Sequence, residues 1–156
     1  MNLPVPFRIF NGLAVLVFAA FAFFQYNDID PAVYHEASSL DAALWLGFYA
    51  LIAVLFALSL FRRAAPLWFL VVGALACLVE MGRTGWGLWI NIFGKEEFTM
   101  MQVSMSATDP RVELSREFFG ALIALLGVVV LWWQGRKFGA TAATSRTGSG
   151  GEADKS

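Results

Sequence analysis

Four long runs without a charged residue dominate the hydrophobic pattern of the chain. They cover residues 9–27, 42–61, 64–79 and 118–135. A helix needs about 20 mainly apolar residues to cross the ~30 Å hydrocarbon core of a bilayer, because it rises ~1.5 Å per residue. Three of the runs meet this length directly, and the third reaches it if Glu80 lies at the membrane boundary. The pattern therefore predicts four transmembrane helices.

A soluble bundle of four buried helices is the alternative class. Each of its helices would show a polar stripe at a 3.6-residue period, because one face would meet water. Residues 42–61 show no such stripe, since their polar side chains are only Tyr49 and Ser59. A cleaved signal peptide is disfavoured as well, because Arg8 alone makes up the positive region and bulky Phe23 follows the candidate cleavage site. We expect an all-α fold, an integral membrane four-helix antiparallel bundle.

Capping residues and glycines set the expected limits of the elements. Ser38 with Asp41 three residues later is typical of a helix N-cap, and Asp109-Pro110 is typical of another helix start. The glycine-rich aromatic stretch after Arg83 is too short to span, so it is predicted to be interfacial. The predicted elements are helices over about 7–26, 40–61, 66–83 and 110–134, an outer segment over 84–109, and a disordered cytoplasmic tail over 138–156.

The distribution of charge predicts the orientation. Seven of the 11 lysines and arginines fall on the side of the two termini, whereas ten of the 12 acidic residues fall on the other side. The seven are Arg8, Arg62, Arg63, Arg136, Lys137, Arg146 and Lys155. Because cytoplasmic segments are rich in Lys and Arg, we expect both termini in the cytoplasm, with the bacterial inner membrane as the compartment.

Polar residues gather at the predicted outer ends of the helices. Glu80 and Arg83 share one helix face, and so do Glu113 and Glu117. Asp28, after the first helix, would meet the negative end of the helix dipole, so we expect it to pair with an arginine. The candidate ligand or partner cluster consists of Gln25, Asn27, Asp28, Asp30, Glu80, Arg83, Glu113, Arg116 and Glu117.

Three interpretations of this cluster stay open: a salt-bridge lattice between helices, an outward-facing pocket for a cation or small polar ligand, and a catalytic pair of carboxylates. His35 and Cys77 are the only residues of their types, which excludes an internal disulfide, a bis-histidine haem and a cysteine-rich metal site. No phosphate-binding or hydrolase motif occurs. The net charge of −1 gives no case for nucleic acid. We expect no catalytic residues, no metal and no cofactor.

Asn11 and Gly12 interrupt the first helix near its predicted cytoplasmic end. An asparagine in an apolar helix needs a hydrogen-bond partner, and a glycine lets another helix come close. We therefore expect Asn11 to bond a neighbouring helix and Gly12 to allow close approach.

The chain resembles the transmembrane protein 220 family, small four-helix membrane proteins of poorly defined function. The resemblance is carried by Asn11-Gly12 in the first helix, by Gln25-x-Asn27-Asp28-x-Asp30-Pro31 after it, and by Glu113-x-x-Arg116-Glu117 at the start of the fourth helix. Ile29 and Tyr34 depart from the family pattern, which usually has proline and tryptophan there. The resemblance implies a four-helix architecture and a single site formed by the two polar patches; it supplies no reaction.

We expect a non-enzymatic structural or interaction protein or an accessory subunit. Its partners would be the lipid bilayer and a membrane protein or further copies of the chain. The alternative is a transporter or channel component for a small ion or polar ligand, which needs ionisable groups near the bilayer midplane. Glu80 is the deepest candidate, and it is predicted to lie near the end of helix three. A membrane enzyme using Glu113 or Glu117 is the third interpretation.

Overall fold

Four helices make up most of the part of the chain that the computed structural model describes, residues 2–25, 34–35 and 38–139. They are α1 (Val5–Phe24), α2 (Ser39–Leu60), α3 (Leu67–Phe93) and α4 (Arg111–Gly139). Each helix is long and apolar enough to cross a membrane. The predicted all-α, four-helix membrane bundle is therefore confirmed.

Parts of two predictions lie outside the described residues. These are Asn27, Asp28 and Asp30 of the candidate cluster, with the expected ion pair of Asp28, and the predicted disordered tail from residue 140 onward. The first two residues assigned to that tail, Phe138 and Gly139, belong to α4.

The predicted helix starts at Ser38 and Asp109 have the expected capping contacts. The Ser38 hydroxyl accepts the backbone N–H of Asp41 at 3.2 Å, which confirms Ser38 as the N-cap of α2. A carboxylate oxygen of Asp109 accepts the N–H of Arg111 at 3.3 Å. Local side-chain chemistry therefore fixes the starts of α2 and α4.

The end of α3 differs from the sequence prediction, because the helix continues past Arg83 to Phe93. The prediction ended the helix at residue 83 and assigned the glycine-rich aromatic stretch after it to an interfacial segment. One face of the helix instead carries small or polar residues at alternating spacings of four and three. These buried residues are Gly73, Cys77, Glu80, Thr84, Gly87 and Asn91. The helix ends only at Gly94, whose N–H bonds the carbonyl of Ile90 at 2.8 Å, so the outer segment is confined to residues 95–109.

The helices alternate in direction and pack most closely as the pairs α1–α2 and α3–α4. Aromatic rings fill the centre of the bundle. The ring of Phe18 on α1 stacks on Phe56 of α2 with centroids 5.8 Å apart, and it also stacks on Tyr49 at 6.3 Å. Gly127 of α4 faces Phe18, and a Cβ there would lie 2.7 Å from the Phe18 ring. The fourth helix therefore reaches the aromatic core because it has no side chain at this position.

A buried amide cluster (Asn11, Ser59 and Gln134) joins α1, α2 and α4 near the start of α1. The Asn11 amide donates to the Ser59 hydroxyl at 2.6 Å and to the Gln134 carbonyl oxygen at 2.9 Å, and Gln134 donates back to Asn11 at 2.9 Å. The prediction for Asn11 is confirmed. The prediction for Gly12 is wrong, because a Cβ there would meet nothing within 4 Å. The buried face of α1 contains Asn11, and a helix turns ~100° between successive residues, so Gly12 lies off that face.

Replacing Asn11 by leucine is expected to lower the free energy of unfolding by about 1–2 kcal/mol, because the buried amide of Gln134 loses its partner. The double variant Asn11→Leu/Gln134→Met removes both amides. Its free energy of unfolding is expected to fall less than that of Asn11→Leu. Equilibrium unfolding in mixed micelles measures both. A double variant that lost the sum of the two single effects would show that the two amides are not coupled.

Candidate functional site

A cavity of about 550 Å³ opens at the end of the bundle where α1 ends and where α2 and α4 begin. Its polar lining includes Gln25, Asp41, Glu113, Arg116 and Glu117. Its apolar lining includes Phe21, Trp45, Tyr49, Phe119 and Ile123, with Met100 and Met105 from the outer segment. Tyr49 lies eight residues after Asp41 along α2, or ~12 Å farther from the start of the helix. The cavity therefore has a charged mouth and an apolar interior.

A charged triad (Glu80, Arg83 and Glu117) lies beside this cavity. The Arg83 guanidinium donates to both carboxylate oxygens of Glu80, at 3.0 and 2.6 Å, and to Glu117 at 3.1 Å. The Glu80 side chain is only 10% exposed, and that of Glu117 is 29% exposed. Arg83 thus holds two carboxylates from neighbouring helices together, and it links the predicted Glu80–Arg83 pair to the cluster on α4.

Glu80 lies closer to the middle of its helix than the sequence predicts. Glu80 was expected near the end of helix three, but in α3 the segments 67–79 and 81–93 flank it on both sides. On α4, Glu117 lies less than one turn from Gly120, where a Cβ would be 2.6 Å from the Tyr49 hydroxyl. Glu80 directly follows the charge-free run 64–79 and Glu117 directly precedes the run 118–135, so the triad lies at the limit of the apolar runs of α3 and α4. The correction follows from the extra ten residues of α3.

Glu113 is a buried carboxylate at the mouth of the cavity, with a relative exposure of 4%. One of its oxygens accepts the backbone N–H of His35 at 2.6 Å, and the His35 ring bonds the carbonyl of Ala107 at 2.7 Å. Among the described residues, the His35 N–H is its only hydrogen-bond donor, and no described cation pairs with it. Glu113 therefore brings to the cavity a carboxylate that forms no salt bridge with a described residue.

Arg116 lies beside the carboxylates of the mouth. Its guanidinium makes one long hydrogen bond, 3.4 Å to the carbonyl of Met100, within the described part of the chain. A guanidinium has five N–H donors, so most of its capacity remains for a group that enters the cavity.

Asn91 anchors the outer segment, and the sequence analysis missed it. Its amide donates to the carbonyl of Thr99 at 2.8 Å and to the hydroxyl of Ser115 at 3.0 Å. Its carbonyl oxygen accepts from Thr99 N–H at 3.3 Å and from Arg111 at 3.2 Å. The signal for it was the position of Asn91 four residues after Gly87, on the buried stripe of α3. The segment that carries Met100 and Met105 is therefore tied to both α3 and α4.

The structure brings six members of the predicted cluster together. Four of them line the cavity, and Glu80 and Arg83 join it through Glu117. The sequence analysis missed the contribution of α2, which supplies Asp41, Trp45 and Tyr49. Their spacing of four residues places these three side chains on one helix face, and this was the available signal.

The comparisons with known proteins agree with this architecture. The sequence model of the family described as "Transmembrane family 220, helix" matches residues 17–133. The chain belongs to transmembrane family 220. No curated protein and no solved structure gave a significant match to the chain.

The part matched to transmembrane family 220 runs from α1 to α4. It contains every described residue that lines the 550 Å³ cavity and all three members of the charged triad. Asn11 and Gln134 fall just outside it. The resemblance found in the sequence is therefore confirmed, and the cavity is a feature of the matched region.

Proposed function

We propose that this multi-pass membrane protein is a non-enzymatic binding protein, and that its outward-facing cavity takes an amphiphile with a protonated amine head group. The observation that carries the proposal is the change in the cavity lining, from carboxylates at the mouth to aromatic rings in the interior. A ligand with a polar head and an apolar chain matches both parts. Pockets with mainly apolar walls and a few fixed polar groups are the usual form of small-molecule sites.

The charges of the lining favour a cationic head group. Asp41, Glu113 and Glu117 face the cavity together with one arginine, Arg116. Arg83 offsets part of the negative charge of Glu117, but it is shared with Glu80. An ammonium group placed between Glu113 and Glu117 would form charge-assisted hydrogen bonds, which are stronger than neutral ones.

Existing contacts of the carboxylates support binding rather than catalysis. Glu113 holds the backbone at His35, and Glu117 holds Arg83. A general acid or base must be able to exchange its proton with a substrate, whereas these two carboxylates hold other elements of the protein in place.

We propose the orientation with both termini in the cytoplasm, in the bacterial inner membrane. Among the described residues, Arg8, Arg62, Arg63, Arg136 and Lys137 lie at helix ends opposite the cavity. This is the arrangement that the positive-inside rule favours. In the proposed orientation, the cavity opens on the outer side.

An accessory role, with a membrane-protein partner or a second copy of the chain, is part of the same proposal. The apolar faces of the four helices supply the surface for such an association. Affinity purification from native membranes in a mild detergent tests it. A stoichiometric partner or a homo-oligomer is the expected result, and a monomer that purifies alone would contradict the accessory role.

A fluorescence titration tests the binding site. Dodecylamine added to the protein in phosphatidylcholine nanodiscs is expected to change the emission of Trp45, and Trp45→Phe is expected to remove that change. Glu113→Gln removes one negative charge and should raise the Kd about tenfold. Glu97→Gln, in the outer segment, is the matched control because it does not line the cavity. Equal affinities of the wild type and Glu113→Gln would contradict the proposal.

Transport of a small cation is the second candidate function, and the central position of Glu80 in α3 favours it. Ionisable residues at membrane depth often mark ion pathways. Proteoliposomes that showed cation flux, lost in Glu80→Gln, would support transport. No flux above that of empty liposomes would contradict it.

A further inference from the structure

A second cavity, of about 260 Å³, lies at the other end of the bundle, where α1 begins and α2 ends. Six residues line it: Asn2, Leu3, Arg8, Ser59, Leu60 and Arg62. Two of them are arginines, and no acidic residue of the described chain lines it. Its charge is therefore opposite to that of the cavity near Glu113.

The start of α1 adds a further positive contribution. Its N-cap is Pro4, no side chain caps it, and its first turn contains no acidic residue. The N-terminus of a helix carries a partial positive charge. Two arginines thus line a small cavity that lies near a helix N-terminus without an anionic cap.

The end of α2 fixes the position of Arg62 through its backbone. The N–H of Arg62 bonds the carbonyl of Ser59 at 3.0 Å, and the N–H of Arg63 bonds that of Leu58 at 3.2 Å. This is the Schellman pattern. The position that Arg62 occupies in this pattern is usually glycine, because φ is positive there. Arg62 adopts a φ of 65°. The chain therefore has a cationic side chain at a position where glycine would fit the backbone better.

Both arginines stand at the boundary of membrane-length apolar runs. Arg8 directly precedes the charge-free run 9–27, and Arg62 directly follows the run 42–61. Lipid phosphates lie at this level of a bilayer, next to the ends of spanning helices. Arginine binds phosphate through two parallel N–H groups, and Leu3 and Leu60 give the cavity an apolar side for the adjoining lipid.

We propose that this cavity binds the phosphate of an anionic phospholipid through Arg8 and Arg62. The site is independent of the amphiphile cavity, because the two lie at opposite ends of the bundle and have opposite charge. A lipid is favoured over free phosphate because the cavity sits where two spanning helices reach the membrane boundary. The expected consequence is selective retention of anionic lipid at this end of the protein.

Native mass spectrometry of the full chain tests the proposal. The protein is released from phosphatidylcholine nanodiscs that contain a minor fraction of phosphatidylglycerol. We expect the wild type to retain phosphatidylglycerol and Arg62→Gln to retain about fivefold less. Arg8→Gln should behave in the same way. Arg63→Gln removes the same charge one residue away, outside the cavity lining, and should retain the lipid as the wild type does.

Two further measurements separate the site from its alternatives. Arg62→Gly suits the positive φ, so it is expected to keep the fold while losing the lipid. An equal loss in Arg63→Gln and Arg62→Gln would mean general surface attraction and would overturn the proposal. It would also be overturned if inorganic phosphate bound the protein in pure phosphatidylcholine nanodiscs while phosphatidylglycerol showed no preferential retention.

Discussion

Replacement of Arg83 by glutamine is expected to lower the free energy of unfolding by about 3 kcal/mol, the largest effect of any single change considered. Arg83 is bonded to Glu80 and Glu117, and without it the two carboxylates face each other inside the bundle. Loss of one partner from a buried ion pair costs ~3–5 kcal/mol. The lower end applies because the Arg83 side chain is 40% exposed.

Two variants identify the cause of that loss. Arg83→Lys keeps the charge but not the forked geometry of the guanidinium, so it is expected to lower the free energy of unfolding less than Arg83→Gln does. Arg83→Gln/Glu117→Gln removes the repulsion between the carboxylates and should recover part of the stability. Unfolding by denaturant in mixed micelles gives the free energies. A double variant less stable than Arg83→Gln would contradict the proposed repulsion.

Replacement of Gly87 by alanine is expected to destabilise the protein by about 2 kcal/mol, the second largest effect. A Cβ at Gly87 would lie 2.8 Å from Leu114 Cδ1 and closer still to Leu114 Cβ. The helices α3 and α4 would have to move apart at this contact. That movement would weaken the Arg83–Glu117 bond next to it, because the bond spans the same two helices.

Gly82→Ala is the matched control, on the same helix and five residues away. A Cβ at Gly82 meets nothing within 4 Å, so alanine should stabilise α3 by ~0.5–1 kcal/mol through its higher helix propensity. The two substitutions are therefore expected to have opposite signs in thermal unfolding. Equal effects at the two glycines would contradict the close contact of α3 with α4.

The spans and the local caps could be predicted from sequence because each depends on a short stretch of chain. The apolar runs gave the four helices, and Ser38 gave the start of α2. The end of α3 could not be predicted from the glycine-rich residues 84–94 alone. Gly87 looks like a helix break until Leu114 is known to pack against it, and that contact comes from another helix.

The same difference between local features and contacts from another helix explains how much of the candidate site could be predicted. The pairing of Glu80 with Arg83 followed from their spacing, whereas the bond from Arg83 to Glu117 depends on the register of α3 against α4. The error at Gly12 has a similar origin, since only the tertiary structure shows that Gly127, not Gly12, faces a neighbouring ring. Contacts between residues of different helices depend on how the helices pack, and a single sequence does not state that packing.

Comparison of two probes of equal chain length tests the central claim, an amine-binding cavity at the acidic end, most directly. The variant Arg62→Gln, whose arginine-lined cavity is expected not to hold an anionic head group, is incubated in phosphatidylcholine nanodiscs with dodecylamine or with dodecyl sulfate, and native mass spectrometry counts the probe molecules it retains. The structure predicts retention of one dodecylamine, which Glu113→Gln weakens, and no comparable retention of dodecyl sulfate. Equal retention of the two probes, or none of dodecylamine, would contradict the assignment of this cavity.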